Sequence, residues 1–205
     1  MPIITAITAQ SKNIDRANLF VDNKFYCGIA KILVGSHKLK VGQEISLKQL
    51  DELIFESDKE KAFLYAMNYI SRYTSTKKQL ANKLYEKGYL KQIVDYVVEK
   101  TEKFGYINDL DYAKCYIEYN KRLKGKVRLK SELKAKGISS EILAIVLEDF
   151  EDNSNSVYDL AKKHSKNKDI NDPNYVAKLN RYLAYKGFDW SAISSCIEKL
   201  KNNEE

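Results

Sequence analysis

Residues 80–89, with the sequence LANKLYEKGY, contain the pattern that decides the fold. Two leucines four residues apart, followed by a lysine and a glycine, recur at 129–138 (LKSELKAKGI) and at 179–188 (LNRYLAYKGF). The three glycines are 49 and 50 residues apart, a period typical of helical repeat units. The pattern therefore predicts three similar units in tandem, each with a structural turn at its glycine: Gly88, Gly137 and Gly187.

Each part of this pattern has a physical reason. Leucines four residues apart lie on one face of a helix and are buried together. A glycine just past the helix end adopts the left-handed conformation of a C-cap without a Cβ penalty. The apolar residue after the glycine can fold back on the last turn, and the lysine before it suits the negative end of the helix dipole. We therefore expect each glycine to separate two helices.

Apolar residues at helical spacing lie on both sides of each copy, so each unit is predicted to contain three helices. Polar residues that cap helix N-termini occur at the expected starts. These start signals are the pairs Ser57–Glu60 and Thr76–Gln79, then Asp109, Ser139 and Asp189, and Asp172 followed by Pro173.

The first fifty residues have a different pattern, with β-rich runs at 3–8, 17–21 and 25–34. Residues 22–24 are a plausible hairpin turn between the last two runs. Residues 46–55 have the apolar spacing of a short helix. We expect a small β-hairpin or three-stranded element that packs on the helical body, since three strands bury little alone.

The predicted fold is mainly α, with three tandem three-helix repeats in an elongated curved array and a small N-terminal β-rich element. The expected boundaries are 1–56 for the β-rich extension with its short helix, and 57–107, 108–152 and 153–205 for the three repeats. Curved repeat arrays commonly bind long partners.

Composition and cysteine usage fit a soluble protein of the reducing cytosol. Hydrophobic residues make up 44% and charged residues 31% of the 205 residues, as in ordinary globular proteins. No apolar run approaches the roughly 20 residues that span a bilayer, and the N-terminus does not resemble a signal peptide. Cys27, Cys115 and Cys196 are odd in number and widely spaced, against a disulfide framework. We expect a cytoplasmic protein without a membrane span.

The sequence contains no motif that indicates catalysis. The glycines are explained as caps or turns, and no phosphate loop, nucleophile elbow or paired-carboxylate motif is present. His37 and His164 lack Cys or His at metal-ligand spacing. We expect neither an enzyme nor a bound cofactor or metal.

The chain is basic, with 35 Lys and Arg against 28 Asp and Glu and a net charge of +7. Such a balance favours polyanionic partners. From 121 to 136 there are eight basic residues and one acid, Glu132, so this segment is expected to contact phosphates or an acidic protein groove. The alternative is a solvated face beside the leucine stripe. The candidate contact residues are Lys121, Arg122, Lys124, Lys126, Arg128, Lys130 and Lys134.

Two further expectations concern this segment and the 15 tyrosines. Reversing the charge of Lys124, Lys126 and Arg128 is expected to weaken partner binding without changing folding. Nucleobases could stack on exposed tyrosines, but helical spacing favours tyrosines that fill seams between helices.

Four segments together resemble the bacterial RecX family. Residues 69–89 (YISRYTSTKKQLANKLYEKGY), 104–116 (FGYINDLDYAKCY) and 125–138 (GKVRLKSELKAKGI) resemble its first repeat, the link to the second, and the second repeat. Residues 13–22 (NIDRANLFVD) are similar to the β-rich extension of longer members. The resemblance covers nearly the whole chain and is loosest in the third repeat.

This resemblance implies a regulator of the RecA recombinase that acts in DNA repair, recombination and the SOS response. Such proteins bind the RecA–single-stranded DNA filament along its groove and limit filament growth, ATP hydrolysis and strand exchange. The alternative is a free-standing basic helical-repeat protein that binds nucleic acid without a protein filament. A monomer is expected, because an elongated array can engage a filament without pairing.

Overall fold

A computed structural model describes residues 1–11, 14–166 and 168–202 of the chain. Asn13, the first residue of the segment that is similar to the family's N-terminal extension, lies outside the described residues. The chain forms two compact units: residues 1–73 with 80–106, and residues 74–79 with 107–205.

The first unit begins with a three-stranded antiparallel sheet in the order β1–β2–β3. Its strands are β1 (Ile4–Ala9), β2 (Arg16–Val21) and β3 (Lys24–Ala30). Asp22 and Asn23 both have positive φ, 49° and 63°, as the tightest two-residue hairpins require. The predicted hairpin is therefore confirmed.

The third β-rich run was expected to reach residue 34, but β3 ends at Ala30 and is followed by helix α1 (Lys31–Ser36). Ala30 pairs with Arg16, the first residue of β2. Beyond that pair no strand residue remains to continue the ladder, so the chain turns and Leu33 is buried beneath the sheet.

Helix α2 (Leu47–Ile70) is 24 residues long, and the expected boundary between 56 and 57 falls inside it. Its capping box is formed by Ser46 and Gln49, so the predicted box at Ser57 was wrong. Ser57 is 1% exposed and its hydroxyl donates to the Gly28 carbonyl at 3.4 Å. The helix continues because 47–70 contains neither glycine nor proline and its first half packs under the sheet.

The remaining helices form the three predicted repeats. The second half of α2, α3 (Lys77–Glu86) and α4 (Lys91–Lys103) form the first. The second contains α5 (Asp109–Asn120), α6 (Lys126–Ala135) and α7 (Ser140–Leu147). The third contains α8 (Ser154–His164), α9 (Pro173–Tyr185) and α10 (Trp190–Asn202). The two leucines of every copy are buried.

The glycine turns have the predicted geometry in all three repeats. Gly88, Gly137 and Gly187 have φ of +84°, +94° and +89°. The residue after each glycine donates its N–H to the carbonyl of the second leucine, at 3.3, 3.1 and 3.3 Å. This is the long hydrogen bond of a Schellman cap.

Most predicted helix starts are confirmed, and one is corrected. Thr76 and Gln79 bond reciprocally at 3.2 and 3.0 Å. Helix α5 is capped by Asn108, so its predicted cap at Asp109 was wrong. Asp109 accepts the Lys77 N–H of α3 at 2.9 Å instead, a contact between residues 32 positions apart that no local rule predicts. The other confirmed caps are Ser139, Asp172 with Pro173, and Asp189.

Candidate protein and nucleic-acid interface

Within the second unit, the start of α3 packs on the glycine turn of the second repeat. The Thr76 hydroxyl donates to the Lys136 carbonyl at 2.7 Å. A Cβ added to Gly137 would lie 2.4 Å from the Cβ of Lys78. Glycine is therefore required at 137 for its positive φ and for this close approach.

The start of α6 packs on the glycine turn of the third repeat in a similar joint. The Gly125 N–H donates to the Lys186 carbonyl at 2.9 Å, and the Val127 N–H donates to the Gly187 carbonyl at 3.1 Å. The two carboxylate oxygens of Asp152 accept the Lys126 N–H and the Asp189 N–H, both at 2.8 Å. This joint fixes the segment that carries the candidate basic residues.

Two half-buried cations of that segment share one carboxylate, that of Glu132. Lys124 Nζ lies 2.7 Å from one Glu132 oxygen, and Arg128 Nε lies 3.0 Å from the other. The Tyr116 hydroxyl donates to Glu132 at 2.7 Å. Partial burial alone would raise the pKa of Glu132, but hydrogen bonds from Lys124, Tyr116 and Arg128 outweigh it and lower the pKa to about 2.

The seven candidate residues therefore have different environments. Lys124 and Arg128 both pair with Glu132, so reversing either charge would place a second carboxylate beside it. We therefore now expect reversal of these two residues to lower stability. Lys121 pairs with Glu118 at 2.7 Å on the surface. Arg122 is exposed.

Lys126, Lys130 and Lys134 form what we call the lysine stripe, because residues four apart share one face of α6. Lys130 and Lys134 are exposed and Lys126 is half-buried. Among the residues that the structure describes, Lys130 and Lys134 form no ion pair with an acidic side chain. The pKa of Asp189, lowered chiefly by the hydrogen bond from the Ala192 N–H, is lowered further by the nearby charge of Lys126. Like charges at this spacing destabilise a helix by a few tenths of a kcal/mol per pair.

The repeat fold does not require the lysine stripe. The equivalent positions, aligned on the paired leucines, are Lys77, Ala81 and Tyr85 in the first repeat and Val176, Asn180 and Ala184 in the third. Only the second repeat has three lysines there, so the other two repeats fold without them.

Beside the stripe, Tyr185 is an exposed aromatic residue that motif analysis did not single out. Its side chain is 71% exposed, and the Arg128 guanidinium carbon lies 4.7 Å from its ring centroid. Its counterparts in the other repeats are Ala135 and Glu86. That contrast is the sequence signal that could have identified it. Tyr65 and Tyr69, by comparison, are half-buried.

No helix in the described ranges is long and apolar enough to cross a bilayer. Nor do three or more His, Cys, Asp or Glu side chains of those ranges lie together as metal ligands. The features that remain define a class: a tandem helical-repeat protein with a β-rich N-terminal element and a basic stripe on its middle repeat.

Comparison with known proteins agrees with this class along the whole chain. Residues 2–46 match the regulatory protein RecX N-terminal domain. Residues 62–100, 108–147 and 158–197 match the first, second and third three-helix domains of RecX. The chain belongs to the RecX family.

Relatives match along nearly the whole chain, and so does one of two solved structures. The regulatory protein RecX of Clostridium perfringens strain 13 is 30% identical over 98% of this chain and 97% of its own. That of Clostridium beijerinckii is 31% identical over 98% and 96%. A crystal structure of regulatory protein RecX, 23% identical, superposes with a TM-score of 0.75 over 97% of this chain and 100% of that one. RecX from Lactobacillus salivarius, 26% identical, gives 0.62 over 70% of this chain and 97% of that one.

Proposed function

We propose that this protein is a non-catalytic regulator that binds the RecA–single-stranded DNA filament and limits filament growth, ATP hydrolysis and strand exchange. Two kinds of observation support the proposal. The first is that relatives matching along the full chain are named regulatory protein RecX. The second, which supports the proposed binding surface, is the lysine stripe. It costs helix stability and is not demanded by the repeat fold.

The stripe is suited to a polyanion. Lys126 and Lys134 are eight residues apart, which is about 12 Å along the helix axis. Three ammonium groups on one rigid face can contact successive phosphates or an acidic groove. The joint holds this helix face in place before binding, so little conformational entropy is lost when the partner arrives.

Regulation by such a protein needs no covalent chemistry. A ligand shifts an equilibrium by its differential affinity for the states. A regulator that occupies a surface needed by the next RecA protomer limits filament growth. A regulator that favours a filament state slow in ATP hydrolysis limits hydrolysis. The protein acts in this proposal as a cytoplasmic monomer in DNA repair, recombination and the SOS response.

The proposal is tested by measuring binding to RecA-coated single-stranded DNA with bound nucleotide and to the same DNA without RecA. We expect tighter binding to the filament. Strong preference for bare DNA would instead favour the free-standing nucleic-acid-binding protein.

The stripe is tested with the triple variant Lys126→Ala, Lys130→Ala, Lys134→Ala. A variant with the same charge change, Lys163→Ala, Lys178→Ala, Lys199→Ala, removes three exposed lysines of the third repeat and serves as the control. If the stripe contacts three phosphates, the log–log salt slope of binding decreases by about 2, at roughly 0.7 per contact for single strands. Equal slopes for the two variants would contradict the assignment.

A further inference from the structure

A shallow groove lies beside the lysine stripe, at the joint between the second and third repeats of the second unit. Its volume is about 350 Å³, and its lining includes Val127, Ser131, Ala184 and Tyr185. Val127 is 64% exposed although it is apolar. A groove of this volume can hold a small group but not a folded partner.

The ring of Tyr185 packs against Arg128 in this groove. Arg128 covers one face of its ring, with the guanidinium carbon 4.7 Å from the centroid. Arg128 itself bonds to Glu132 through Nε at 3.0 Å and to the Tyr185 carbonyl through Nη1 at 3.2 Å. Because the ring is 71% exposed despite this contact, its remaining surface is available to a ligand.

Helix geometry places two lysines of the stripe, Lys130 and Lys134, at the rim of the groove. Lys130 is three residues from Val127, and Lys134 is three residues from Ser131, so these pairs are surface neighbours about 5–6 Å apart between Cβ atoms. Cations therefore lie next to an open aromatic and aliphatic surface. A ligand that fits both must carry flat apolar groups on a polyanionic backbone.

We propose that Tyr185 is a stacking platform for one base of single-stranded DNA whose phosphates lie along Lys126, Lys130 and Lys134. Stacking on a protein ring requires a base with a free face, which a single strand offers and a duplex does not. The platform has no sequence preference, since every base has a π-face. This inference rests on the proposed function only in taking filament DNA as the ligand.

The test uses the full-length chain and an oligothymidylate carrying one 5-iodouracil, crosslinked by light at low salt. Mass spectrometry is expected to locate the crosslink at Tyr185. Tyr185→Ala is expected to weaken oligonucleotide binding about 5- to 150-fold, the range for loss of one base–aromatic stack. Tyr185→Phe, which keeps the ring, is expected to bind within about twofold of the wild type.

Tyr119→Ala is the control, because Tyr119 is an 87% exposed tyrosine of the same unit. Equal binding by Tyr185→Ala and the wild type, or a crosslink at another aromatic residue, overturns the inference. So does equal weakening by Tyr119→Ala.

Failure of this inference and failure of the proposed function are separable. If Tyr185→Ala binds DNA like the wild type while the wild type still inhibits RecA, only the stacking platform is wrong. If Tyr185→Ala loses DNA binding while the wild type has no effect on RecA filaments, the platform stands and the proposed function is wrong.

Discussion

Gly137 packs directly against Lys78, so closely that a Cβ at position 137 would lie 2.4 Å from the Lys78 Cβ. The same relationship recurs at Gly187, where a Cβ would lie 2.3 Å from the Cβ of Arg128. At Gly88, apart from the glycine itself and its two chain neighbours, no described residue lies within 4 Å of such a Cβ. One sequence motif thus has two structural roles, a turn in all three repeats and a packing surface in the second and third.

Substitution of the repeat glycines by alanine is predicted to have unequal effects. Gly88→Ala meets only the positive-φ penalty, about 1–2 kcal/mol. Gly137→Ala meets that penalty and also a clash with Lys78, so we expect a larger loss of unfolding free energy. Urea denaturation followed by circular dichroism measures both. Equal losses of unfolding free energy would show that the packing of α3 on the second-repeat turn does not depend on close approach at Gly137.

Asp152 is predicted to stabilise the joint between the second and third repeats through its two backbone contacts. Asp152→Ala leaves the N–H groups of Lys126 and Asp189 without their acceptor, at a cost of about 2–3 kcal/mol. Hydrogen exchange at these two amides should accelerate together. Glu151→Ala, an exposed neighbour, is the control and should change stability by less than about 0.5 kcal/mol. Unchanged exchange at either amide in Asp152→Ala would contradict this role.

Glu132 is predicted to make stability depend on pH in the acid range. Its pKa in the folded protein is about 2, lowered from 4.5, so the folded state favours the charged carboxylate. That contribution is fully present above the ordinary pKa and is lost as the pH falls through about 2.

At neutral pH, Glu132→Gln should lower the free energy of unfolding by about 1–3 kcal/mol, after allowance for solvent screening. The difference in unfolding free energy between Glu132→Gln and the wild type should be smaller at about pH 3 than at neutral pH. Urea titrations at the two pH values would show this. Glu148→Gln, at an exposed carboxylate after α7, is the matched control. A difference that is constant or grows on acidification would rule out the proposed ion-pair cluster.

Features fixed by local rules were predictable from the sequence. The turns at Gly88, Gly137 and Gly187, the box at Thr76 and the hairpin at Asp22 each depend on a few adjacent residues, and all were confirmed.

Features that depend on contacts between distant residues were not predictable. Ser57 resembles a helix start, but it lies inside α2, whose first half packs under the sheet, and its hydroxyl donates to Gly28 there. Arg128 bonds to Tyr185, 57 residues away. Neither contact follows from periodicity, since both require knowing which elements pack together. For the same reason the sequence does not distinguish Lys124 and Arg128, which pair with Glu132, from the exposed lysines of the same segment.

The most direct test of the account is the rate of ATP hydrolysis by RecA on single-stranded DNA, measured while this protein is titrated in. We predict that the wild type and the third-repeat lysine control lower the rate at similar concentrations. The triple variant of Lys126, Lys130 and Lys134 should need at least about tenfold more protein to lower the hydrolysis rate by the same amount. A hydrolysis rate unaffected by the wild type, or inhibition by the triple variant at the wild-type concentration, would contradict the account.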